Sequence, residues 1–381
     1  MPNSLNTQCC VICDNDITQD NKSREHVIPE CIGGRLTVDK FICRSCNNTS
    51  GSTWDAELSS QLLPLMLIFG VRRQRGSTPG LRVTSSEGEQ LVINPGGGIS
   101  LRSPPVSKIA GPDGVTYDIK ARTKDEARKI LKRLKRKYPN IDIETKLSGA
   151  QESYSYAQGQ VCHNLSIGGE VSGRSIVKSI LAFACHAGIP MKGCKEALDY
   201  LKNPAATPCF GYFQENDLVI NRPQDVPLNC VSVDANPSTG LIIGYIEYFG
   251  IYRIVACIGR EYSGNRVAAC YAFDPRNGVK HDVSVRLEFN ESDINDIYNY
   301  KMIPDGSMQH TISPLLSAAL KRQFDEEVTR VSRDAAEYAF ANCGAKPGEC
   351  LTATQIQELN RLVLERIAPF IQHHLVRNRT S

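Results

Sequence analysis

Two cysteine pairs near the start of the chain carry its clearest chemistry. They are Cys10-Val11-Ile12-Cys13 and Cys43-Arg44-Ser45-Cys46, with 29 residues between them. Four thiolates close a tetrahedral site around zinc, and each C-x2-C turn presents two sulfurs to one ion. Zinc binding supplies folding energy, so it lets a short segment fold without a large core. Cys9 beside Cys10 offers another register, but Cys10 gives the C-x2-C spacing and is taken as the ligand. Between the pairs stand Glu25-His26-Val27-Ile28-Pro29 and Gly33-Gly34. Directly after the second pair come Asn47-Asn48, then Gly51 and Asp55.

In order, spacing and residue type, roughly residues 9–58 resemble the HNH, or His-Me finger, endonucleases. The closest likeness is to the subset with two zinc-binding C-x2-C pairs, an EHxxP segment, a GG turn and a C-x2-C-N-N-x2-G end. The resemblance implies a ββα-metal module and a metal-dependent endonuclease that hydrolyses DNA phosphodiester bonds. Such cleavage needs an activated water and a way to hold charge on the leaving oxygen. An imidazole can take the proton near neutral pH, and a divalent cation can stabilise the leaving oxygen. Carried over, His26 is the general base, while Glu25 and Asn47 are ligands of a catalytic Mg²⁺ or Mn²⁺, which oxygen donors suit. Cys10, Cys13, Cys43 and Cys46 then hold a structural Zn²⁺. The family's histidine-orienting asparagine has no counterpart in Thr37-Val38-Asp39-Lys40, where Asp39 or a backbone carbonyl is the substitute. Asn48 is an alternative to Asn47. Ser52-Thr53-Trp54-Asp55 reads as a variant capping box, which assigns Asp55 chiefly to a helix start.

These residues must be positioned by elements that the sequence outlines. A helix is expected over residues 54–69, opened by Ser52 or Thr53. Residues 76–114 are rich in Gly, Pro and Ser, with a strand at 90–93. A β-α-β unit follows: strand 115–121, helix 123–138, strand 141–145. Residues 152–170 look extended, and 175–187 is a strongly apolar helix. Strands are expected at 218–220, 230–233, 241–248, 251–258, 266–273 and 283–287, in a mainly antiparallel sheet. Two helices, 314–342 and 352–376, close the chain around Gly344, Pro347 and Gly348. The expected fold is α+β: a zinc-stapled ββα-metal module, a mixed β-α-β region, an antiparallel sheet domain and a C-terminal helical pair. The expected boundaries are 1–70, 76–150, 151–310 and 311–381.

The net charge of +3 does not by itself announce a nucleic-acid binder, but its distribution is uneven. Residues 1–60 carry −3 and the remainder +6. Nine Lys and Arg against two acids between Arg122 and Lys137 give +7 over sixteen residues. On a helix such residues fan over the outer face, where they can track phosphates and release counterions; a merely solvated face is the alternative. Arg128, Lys129, Lys132, Arg133, Lys135 and Arg136 are therefore candidate nucleic-acid contacts, with Arg72, Arg73 and Arg75 after the module as a second set. Tyr245, Tyr248, Phe249 and Tyr252 either pack a core or stack bases.

The hydrophobic fraction of 41% and the lack of a long apolar run argue against a membrane span. Residues 1–8 carry no signal-peptide pattern, so a cytoplasmic location is expected. Fifteen cysteines, an odd count, argue against a disulfide framework. Cys185, Cys230, Cys257 and Cys270 read as small buried hydrophobes. Two other readings stand beside the nuclease. One is an effector gated by a small molecule or protein, as in some bacterial or phage defence systems. The other is a zinc ribbon that binds nucleic acid without cutting. A homodimer through the terminal helices would suit double-strand cleavage.

Overall fold

The computed structural model describes residues 9–103, 106–111, 114–151, 156, 157 and 159–380. The expectations made for residues 1–8 and for part of 152–158 lie outside them. The chain forms two compact units. The first holds the described residues of 1–79, 95–97 and 164–319, and the second those of 80–94, 98–163 and 320–381.

The first unit begins with β1 (Lys22–His26) and β2 (Thr37–Cys43), paired antiparallel with His26 opposite Thr37 and Arg24 opposite Asp39. The turn between them needs its glycines. Gly33 has φ +90°, and a Cβ on Gly34 would stand 1.7 Å from the Ile28 carbonyl oxygen. Extended Cys43 precedes α1 (Arg44–Ser50). A single π turn, Gly51–Asp55, then carries the helix without a break into α2 (Ala56–Phe69). The sequence predicts a new helix capped by Ser52 or Thr53, and the structure corrects this. Both hydroxyls instead donate back to the Thr49 carbonyl, at 3.1 and 2.7 Å, as they do inside a helix. Asp55 is thereby freed from capping.

The second unit starts with β3 (Leu81–Thr84), β4 (Gln90–Ile93) and β5 (Ile99–Leu101), an antiparallel sheet in that order. A hairpin of β6 (Val106–Gly111) and β7 (Gly114–Ile119) follows. Thr123 caps α3 (Lys124–Lys137) by accepting from the Glu126 amide. Residues 141–145, expected as a strand, instead enter α4 (Ile143–Ser148). The Asp142 carboxylate accepts from the amides of Glu144 and Thr145 at 3.1 and 3.3 Å, and this N-cap prevails over the alternating isoleucines.

The chain returns to the first unit with α5 (Glu170–His186) and α6 (Lys195–Lys202). There follow β8 (Phe210–Tyr212), β9 (Val219–Ile220), β10 (Asn229–Asn236), β11 (Leu241–Tyr248), β12 (Tyr252–Gly259), β13 (Val267–Phe273), β14 (Lys280–His281) and β15 (Ser284–Val285). The main sheet has the order β14-β13-β10-β11-β12-β8, every neighbour antiparallel. After α7 (Glu291–Tyr298), α8 (Ser307–Asn342) runs into the second unit, where it meets α9 (Ala353–Thr380). There Arg366 pairs with Asp334 at 2.8 Å, and Phe324 lies 5.9 Å from Phe370.

Helix α5 organises the first unit. It is buried without interruption from Ser172 to Ala184, because it packs on β10 and β11 as well as on β1, β2, the π turn and α2. A Cβ on Gly244 of β11 would meet the Ile180 side chain at 2.1 Å, so the bare backbone there admits the helix. One apolar core therefore runs from Val27, Phe41 and Leu62 through Ile176 and Ile180 to Val231 and Ile254. Tyr245, Tyr248, Phe249 and Tyr252 are all buried, which sets aside base stacking. Cys230 and Cys257 are buried as expected, while Cys185 and Cys270 are half-buried.

Candidate active site

The zinc-type cluster is assembled by a loop and a helix start. The turn at Cys10–Cys13 is tied to β2 by the Val11 amide, which donates to the Phe41 carbonyl at 3.2 Å. Cys43 ends β2, and Cys46 lies in the first turn of α1. The ligand atoms of Cys10, Cys13, Cys43 and Cys46 all lie within 4.8 Å of one another. Cys13 Sγ and Cys43 Sγ are 3.8 Å apart. The edge of a ZnS₄ tetrahedron with bonds of about 2.3 Å is about 3.8 Å, so the four thiols fit zinc.

The next layer of the site is an ion cluster built across the unit. Glu25 on β1 is only 3% exposed, Asp55 at the end of the π turn 9%, and Lys178 of α5 is fully buried. Lys178 Nζ donates to Glu25 Oε1 at 2.5 Å and to Asp55 Oδ2 at 2.7 Å, with Ser50 Oγ at 3.4 Å. Ser175, one turn earlier on α5, donates its hydroxyl to Asp55 Oδ1 at 2.6 Å. Burial alone would favour neutral lysine, but the attraction of Asp55 and Glu25 outweighs it and leaves the Lys178 pKa above its ordinary value. Burial dominates at Glu25. It pushes the carboxyl up to about 6, with Lys178 opposing and Asp55 adding to the rise.

His26 closes β1 beside Glu25, opposite Thr37. Its pKa is lowered from the ordinary 6.5. Burial penalises the imidazolium, Glu30 and a hydrogen bond with Gln74 partly offset this, and Arg75 and Lys178 add to it. Asp39 does not orient His26. It lies across the hairpin from Arg24 and pairs with it at 3.5 Å, both side chains being exposed. The side chain that meets the histidine is Gln74, from the segment after α2.

Asn47 is half-buried on α1, and Asn48 is exposed. Asn47 Nδ2 donates to the Arg24 carbonyl at 3.1 Å, so its amide is tied to the strand that carries Glu25 and His26. Lys178 takes one oxygen of Glu25. The other makes no hydrogen bond among the described residues.

The basic residues fall into two separate sets. Arg72 and Arg75 are exposed; Arg73 is half-buried, with Nη2 3.5 Å from Ser59 Oγ. In the second unit, Arg128 of α3 is engaged by Asp125 and Glu144 at 3.0 and 3.3 Å. Lys129, Lys132, Arg133, Lys135 and Arg136 are exposed and form no ion pair among the described residues.

Sequence reasoning missed Lys178, Ser175 and Gln74, which lie far along the chain or in a loop and carry no motif. A lysine in the middle of an apolar helix was the one available signal.

A β-hairpin and a helix with four converging thiols, and a histidine at the strand end, make a zinc-type finger. Residues 10–63 match the family profile of the HNH endonucleases, and this segment is an HNH module. No curated protein and no solved structure matches the chain.

Proposed function

We propose that the protein is an endonuclease that hydrolyses phosphodiester bonds in DNA with its N-terminal module. The observation that carries this is the placement of His26: it ends β1 next to Glu25 and opposite Thr37, half-buried in surroundings that lower its pKa. A neutral imidazole at pH 7 can accept a proton from an attacking water. Glu25, next to it on β1, and Asn47, tied to the same strand through the Arg24 carbonyl, would supply oxygen donors. A divalent ion held there would stabilise charge on the leaving oxygen. The four cysteines hold the hairpin against α1 and take no part in chemistry. Arg72 and Arg75, which follow the module, offer exposed positive charge for the phosphate backbone, and the lysines and arginines of α3 offer more.

The test is plasmid cleavage by the zinc-loaded protein with Mg²⁺ or Mn²⁺, wild type against His26→Ala. Loss of a general base typically lowers the rate by about 10²–10⁴-fold. Nicking that persists in His26→Ala removes the histidine as the base. Binding without cutting by either protein favours a non-catalytic zinc module.

A further inference from the structure

The cluster of Glu25, Asp55 and Lys178 lies outside the chemistry assigned so far. Two carboxylates from the HNH module converge on one point, and a buried ammonium from α5 occupies it. Its distances of 2.5 and 2.7 Å leave no space for a second cation between the same two oxygens. The ammonium's donors reach Glu25, Asp55 and Ser50, and Ser175 satisfies the other Asp55 oxygen. Every partner except Lys178 and Ser175 comes from the module.

We infer that Lys178 is the resident cation of this acid pair and a positioning residue for the nuclease site. Its ammonium stands where a pair of converging carboxylates would otherwise take a divalent ion. It holds the Glu25 side chain by one oxygen and thus fixes the end of β1 that carries His26, before any catalytic ion arrives. The site is incomplete without α5. The seat between Glu25 Oε1 and Asp55 Oδ2 does not exchange with metal, so a catalytic ion uses other donors. This inference rests on the nuclease reading for its importance, but not for its test.

The test counts bound Mn²⁺ on the full, zinc-loaded chain by electron paramagnetic resonance. Asp55→Asn in the wild-type background should leave the Mn²⁺ count unchanged, because the Asp55 oxygens are already taken by the ammonium and the Ser175 hydroxyl. Lys178→Ala empties the seat and should bind one additional Mn²⁺ per chain. Lys178→Ala/Asp55→Asn should lose that extra ion. Loss of an ion on Asp55→Asn alone overturns the proposal, since it means that metal displaces Lys178. A folded Lys178→Ala protein that gains no ion also overturns it. If Lys178→Ala does not fold, the Asp55→Asn comparison decides by itself. Metal counts do not depend on cleavage. Failure of His26-dependent cutting therefore sinks the nuclease reading and the positioning role with it, but leaves the resident cation standing; failure of the metal counts sinks the resident cation and leaves the nuclease reading standing.

Discussion

Replacing Lys178 with methionine keeps much of the side-chain volume and deletes only the ammonium. The substitution leaves Glu25, 3% exposed, and Asp55, 9% exposed, as unpaired carboxylates in the core. Breaking a buried ion pair by removing one partner costs about 3–5 kcal/mol. For a domain of this size each kcal/mol lowers the melting temperature by roughly 2–4 °C, so the loss is roughly 6–20 °C. The loss also depends on pH, with a sign that the structure sets. Glu25 titrates at about 6 in the folded wild type against an ordinary 4.5, with Lys178 holding it down. Without the ammonium it titrates higher still. An acid whose folded pKa is raised binds more protons folded than unfolded, so stability falls as pH rises through that window. In wild type the fall lies between 4.5 and about 6; in the variant it extends above 6. The stability gap between the two proteins should therefore widen from pH 6 to pH 8. Urea melts of both zinc-loaded chains at the two pH values measure it. A gap below about 1 kcal/mol, or one that stays constant with pH, refutes the placement of a charged lysine between two buried acids.

Two further outcomes follow from the same site. If His26 is the base, kcat/KM, measured at limiting DNA, should rise with pH through an apparent pKa below the ordinary 6.5, since burial lowers that of the free site; an acid limb at or above 6.5 contradicts the burial argument. Wild-type protein should contain one zinc per chain, and Cys43→Ala/Cys46→Ala should contain none and lose the fold of its first fifty residues; zinc-free wild type with an intact hairpin would sink the structural-metal assignment.

The module was legible in the sequence because its chemistry is local. Two cysteine pairs, a Glu-His dipeptide and a Gly-Gly turn lie within sixty residues, and each constrains its neighbours through short-range geometry. The strands at 241–248 and 266–273 were legible too, since long apolar runs bounded by turn residues leave few alternatives. The failures have physical causes. Asp55 looked like a cap because Ser52 and Thr53 precede it, but a helix already running from the zinc cysteines passes through them on a π turn. Ile141 and Ile143 alternate like a strand, but the Asp142 cap outweighs two apolar side chains. Asp39, one of two substitutes for the family's missing asparagine, lies opposite Arg24 in the register and pairs with it instead.

Lys178 belongs to a different class of omission. A buried lysine is a poor neighbour for isoleucine and leucine unless its charge is met, so Ile176-Val177-Lys178 in a helix buried from 172 to 184 implied acids arriving from elsewhere. No local rule says from where. The acidic module supplied two, and this joins the halves of the first unit in a way that surface charge cannot. Exposed cations such as Arg72, Arg75 and the α3 lysines act over distances that salt screens, so any attraction they exert weakens as ionic strength rises. The Lys178 ammonium is shielded from salt by burial and is met by one fixed pair of oxygens. The module thus depends on α5 for the setting of Glu25, next to His26, through a charge that salt cannot reach.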